Sequence, residues 1–131
     1  MTLDLQLLAW TLVLTFVYIF APAAARTMKY GTKWNAGPRD AAMPSPGVVA
    51  ERLDRAQKNL FETLPVFIGA VLIAHVGNAD MSRTVLGAQL YLGSRIAFLP
   101  LYAFGVPYLR SAAWLVGLAG IVIILFAILA P

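Results

Sequence analysis

Eight residues hold most of the chemistry this sequence offers: Arg26, Arg55, Lys58, Asn59, Glu62, Tyr102, Arg110 and Ser111. They combine several cations, one carboxylate, an amide and hydroxyls. Arginine grips a carboxylate through two parallel N–H···O bonds, and a glutamate can hold an ammonium group. The set suits a small zwitterion with additional carboxylates. A cation beside a bound thiol would also lower the thiol's pKa and raise its thiolate fraction. The same charges could instead anchor helices, since Glu51 with Arg55 and Asp54 with Lys58 are favourable pairs four residues apart. The chain has no cysteine, so it offers no thiolate nucleophile, thiolate metal site or disulfide, and no metal is expected.

The elements that must position these groups start with the stretch from Glu51 to Phe67. On a helix at about 100° per residue, Glu51, Arg55, Lys58 and Glu62 fall in a narrow stripe, with Asn59 beside it. Past Glu62 the stripe continues as Pro65, Gly69 and Ile73 and becomes small and apolar. A charge that dips into hydrocarbon needs polar company from other helices, another subunit, water or a ligand.

Composition sets the surroundings. Of 131 residues, 60% are hydrophobic and 12% charged, and the mean hydropathy is +0.77. A soluble domain is roughly half apolar and a quarter charged. The reading is an all-α, polytopic membrane protein: one domain over residues 1–131, a bundle of four transmembrane helices at about 3–25, 49–78, 82–104 and 109–130. The first run reads as an uncleaved span, because Asp4 stands where a signal peptide is basic. Residues 26–48 read as a loop rich in glycine, proline and basic residues, with Tyr30 and Trp34 suited to the headgroup layer.

His75, the only histidine, reads as interfacial. Arg95 falls near mid-membrane and should face the bundle interior beside an acid. Glu62 is one candidate; Glu51 or Asp54 of a neighbouring subunit is another. Pro100 is expected to kink the third helix. Ala113, Gly117 and Gly120 form a small-residue stripe for close packing. The net charge of +4 reflects basic residues at membrane boundaries and does not point to nucleic acid. Their bias puts the first and third loops in the cytoplasm and both termini on the opposite side.

The pattern E-R-x-x-R-A-Q-x-N-x-x-E-x-x-P-x-F from Glu51 to Phe67 resembles the second-helix signature of the membrane-associated proteins in eicosanoid and glutathione metabolism, the MAPEG family. A second segment is similar as well: Arg95, then Tyr102 seven residues later, then Arg110-Ser111 at the start of the fourth helix. The resemblance implies a homotrimer that binds glutathione between adjacent subunits near the cytoplasmic side. Glutathione, with two carboxylates, an ammonium and a thiol, also fits the charge set. By resemblance Arg55, Asn59 and Glu62 bind it, joined by Lys58, Arg95, Tyr102 and Ser111, and Arg110 stabilises its thiolate; Arg26, at the end of the first helix, joins this anion site on its charge and position.

Glutathione would then be a co-substrate, and the second substrate a lipophilic small molecule reached from the membrane lipids. The implied activity is a glutathione-dependent transferase or peroxidase. The alternative is a non-catalytic lipid-binding protein or accessory subunit of a membrane complex. Thr63, Phe98 and Trp114 depart from the family where relatives carry tyrosine or, at Phe98, tyrosine or histidine. A small four-helix multidrug transporter would need a carboxylate inside its first helix, where this chain has only Asp4 near the start.

Overall fold

The computed structural model describes residues 1–131 and contains only helices and connections. The helices are α1 (Leu3–Tyr30), α2 (Thr32–Ala36), α3 (Val48–Val76), α4 (Met81–Ala103) and α5 (Pro107–Leu129). The four long ones pack side by side, and α4 touches α1, α3 and α5. α1 runs five residues further than expected, and α2 forms inside the stretch read as loop. The chain turns between them at Gly31, whose φ of +93° lies in the region glycine tolerates. The rings of Tyr30 and Trp34 meet at a tilt with centroids 4.6 Å apart, and the Tyr30 hydroxyl donates to the Pro44 carbonyl.

Local signals explain the other boundaries. Asp80 caps α4 by accepting from the Arg83 backbone N–H at 3.0 Å. Pro107 begins α5, where its missing N–H costs nothing. Pro100 lies within α4, which continues to Ala103.

Only 25 of the 131 residues are buried, while large apolar side chains such as Trp10, Phe16, Phe20, Leu115 and Phe126 point outward. Such a surface suits contact with lipid or with neighbouring chains. Three helices, α1, α3 and α5, are long and apolar enough to cross a membrane. α4, at 23 residues, is long enough but more polar, and it holds Arg95.

The small-residue stripe packs within the chain. A Cβ on Gly120 would stand 2.5 Å from the Gly87 carbonyl oxygen, and one on Gly117 would stand 2.5 Å from Ser94 Oγ. α4 and α5 therefore cross backbone against backbone at Gly87 and Gly120. Phe67 of α3 stacks on Tyr91 of α4 at 4.1 Å in the core.

Candidate functional site

Arg95 organises the centre. It is 2% exposed. One Nη donates to Asn59 Oδ1 and the other to Thr63 Oγ1, each at 2.8 Å. Thr63 in turn meets the Tyr91 hydroxyl at 2.8 Å. The guanidinium lies over the rings of Phe98 at 4.9 Å and Tyr91 at 5.5 Å. From α1, Tyr18 donates to the Arg95 backbone carbonyl at 2.6 Å. The Nε of Arg95 is buried without a partner. Two neutral oxygens and two aromatic faces thus take the place of a carboxylate.

Of the acids expected beside Arg95, Glu62 is not its partner within the chain. Asn59 and Thr63 stand four residues apart and share the face of α3 that meets α4. Glu62 is turned about 100° from Thr63; it is exposed and joins none of the chain's ion pairs.

Towards the α4–α5 turn, Asn59 opens onto a cavity of about 500 Å³ between α3, α4 and α5. Phe98, Tyr102, Arg110, Ser111, Trp114 and Leu115 complete its lining. Arg110 lies over the Tyr102 ring at 4.7 Å, and Arg55 approaches the same ring at 5.8 Å while its Nε donates to the Tyr102 hydroxyl at 3.3 Å. Ser111 donates to the Pro107 carbonyl at 3.3 Å. The indole N–H of Trp114 is buried without an acceptor. The cavity thus offers donors and apolar wall, and no carboxylate. It can take an anion or an oxygen acceptor attached to an apolar body.

A model of the MAPEG family matches residues 7–130, nearly the whole chain. The chain belongs to the MAPEG family. No curated protein and no solved structure matches it.

Within one MAPEG chain, the eight residues do not all converge. Asn59, Tyr102, Arg110 and Ser111 share the large cavity, and Arg55 reaches it through Tyr102. Arg26 and Lys58 lie in a separate hollow of about 370 Å³, both bonded to Asp54, at 3.4 Å and 2.9 Å. The Asp54–Lys58 pair expected along the helix forms; Glu51 accepts from Ser45 Oγ at 2.7 Å and pairs with no cation.

Two features went unseen in the sequence. Thr63 supplies the hydroxyl that holds Arg95, and its signal is the spacing of four from Asn59. His75 is tied to Asp4, a carboxylate with no exposure, at 3.0 Å between Nδ1 and Oδ2. No local pattern links residues so far apart.

Proposed function

We propose that this MAPEG chain is an integral membrane protein that binds glutathione and uses it against lipophilic substrates, as a transferase or peroxidase. The observation carrying this reading is the cavity where Arg110, free of any acid, meets Tyr102, Asn59 and the apolar walls of Phe98, Trp114 and Leu115. In it Arg110 would stabilise the thiolate, and an electrophile dissolved in the bilayer would reach the sulfur from the apolar side. Proximity and charge stabilisation would supply the rate. In a peroxidase reaction the thiolate attacks the outer peroxide oxygen, the O–O bond breaks, the lipid alkoxide leaves and takes a proton, and a second glutathione attacks the resulting sulfenic acid, releasing glutathione disulfide and water.

The wider proposal has four spans, with α4 as the least apolar. The first and third connections face the cytoplasm and both termini the other side. Three copies assemble so that Glu62, Arg26 and Lys58 of one chain complete the cavity of the next. The outward position of Glu62 supports that arrangement, since nothing in its own chain neutralises it.

Calorimetric titration of glutathione into the detergent-solubilised protein, with Arg55→Ala as control, tests the reading. Saturable binding lost in the variant supports it; no binding to the folded wild-type protein at millimolar glutathione sinks it. The non-catalytic alternative is favoured by one observation: Phe98 and Trp114 line the cavity without a hydroxyl to offer a substrate. Bound glutathione with no turnover of hydroperoxides or electrophiles would decide for it.

A further inference from the structure

A smaller cavity of about 190 Å³ opens between α3 and the α4–α5 turn. Arg52, Arg55 and Arg110 all line it, with no carboxylate among the lining residues. The chain's ion pairs are Arg26–Asp54, Lys58–Asp54 and His75–Asp4, so none of these three arginines has an acid partner. Arg52 presses its guanidinium against Gly105, where a Cβ would stand 2.8 Å from Cζ and where φ is +73°. One of its N–H groups reaches the Ala103 carbonyl at 3.4 Å. That long bond braces the end of α4 and uses one of five donors. The first turn of α5 also begins here, with no side chain capping it, so its free N–H groups add partial positive charge.

Three guanidiniums around one hollow repel one another unless an anion neutralises them. One or two arginine forks saturate a planar carboxylate. A phosphate monoester presents three terminal oxygens and nearly two negative charges, and accepts forks from several directions. Basic residues at the end of a membrane bundle also lie at the level of lipid phosphates. We propose that Arg52, Arg55 and Arg110 form a site for a phosphoryl group, supplied by an anionic lipid headgroup or by a soluble phosphate ester. The inference goes beyond glutathione binding through Arg52, which belongs to no part of the glutathione set; Arg55 and Arg110 are shared with it, so a phosphoryl group here would compete with glutathione.

The test compares wild type, Arg52→Ala and, as a control at the other end of the bundle, Arg83→Ala. Inorganic phosphate is titrated calorimetrically into detergent-solubilised protein. Thermal stability is then compared in phosphatidylcholine nanodiscs with and without phosphatidic acid. Arg52→Ala should weaken phosphate binding about tenfold or remove the stabilisation by phosphatidic acid, and leave glutathione binding unchanged. Arg83→Ala should do neither. Binding of free phosphate identifies a soluble ester as the source; stabilisation by phosphatidic acid alone identifies the headgroup. No response to either probe, or the same response in Arg52→Ala, overturns the site. So does loss of glutathione binding in Arg52→Ala, which would make Arg52 part of the glutathione site. Absent glutathione binding alongside intact phosphate binding would instead sink the proposed enzyme and leave this site standing.

Discussion

The two ends of the bundle handle charge differently. Where α1 starts and α3 ends, Asp4 bonds His75 at 3.0 Å, Asp80 caps α4, and Arg83 reaches the Ala130 carbonyl at 3.4 Å. Both acids there are engaged, Asp4 in an ion pair and Asp80 in a cap, and Arg83, like Arg52 at the opposite end, bonds only a backbone carbonyl. At the opposite end, Arg52, Arg55, Arg110 and Glu62 have no ion-pair partner, and two cavities open among the arginines. Charges closed on themselves fix helix positions. Charges left open cost the lone chain self-repulsion, and that cost makes sense where a ligand or a second subunit supplies the counter-charge. Arg95 lies between the two patterns: buried and bonded, yet bonded only to neutral groups.

The comparison predicts that variants sort by what they disturb. Arg95→Ala should show the largest effect. It leaves Asn59 Oδ1 without its donor and opens space between two aromatic rings, at about 3 kcal/mol of stability. Unfolding in mixed detergent micelles measures this. A variant as stable as wild type would mean Arg95 is held for a ligand and not for the fold. Next, Arg110→Ala should lower glutathione-dependent turnover about 100-fold, the usual scale for removing one charge-stabilising donor. Its unfolding midpoint should stay at the wild-type value, since Arg110 forms no ion pair and its polar interaction within the chain is with the Tyr102 ring. Equal loss of both would make the open end structural and erase the contrast.

At the closed end, Asp4→Ala should do the reverse. Asp4 is fully buried with His75 on one oxygen, so its removal should cost about 2 kcal/mol and leave glutathione binding intact. Altered glutathione affinity in a folded variant would show the ends to be coupled.

Much of this division was legible in the sequence, and the reason is physical. Helix periodicity fixes which residues share a face, so the stripe on α3 and the seven-residue step from Arg95 to Tyr102 could be read directly. Asn59, Tyr102, Arg110 and Ser111 accordingly meet at one cavity. Periodicity does not fix which face turns inward when two faces are both polar. Glu62 looked like the natural partner of Arg95 because it is charged; Asn59 and Thr63 won because α4 packs on their side. Nor does it join residues across helices: the Asp4–His75 bond spans two elements with no shared motif. The extension of α1 to Tyr30 had a weaker reason to be missed. Arg26 ends the apolar run, yet charges continue a helix readily once it reaches the headgroup layer.

Glu62→Gln is the smallest change and the most diagnostic. The substitution keeps size and hydrogen bonding and removes one charge. Glu62 is exposed and unpaired within the chain, so the variant should unfold like wild type. If Glu62 holds the ammonium of glutathione, affinity should fall about tenfold, the worth of one charge-assisted bond over a neutral one. If instead it neutralises arginines of a neighbouring copy, glutathione affinity should hold while the oligomer loosens in analytical ultracentrifugation. Desamino-glutathione separates these outcomes further: lacking the ammonium, it should bind wild type and variant equally under the first account. An unchanged oligomer with unchanged affinity would leave the open acid with no role at this end, and the contrast would then rest on the arginines alone.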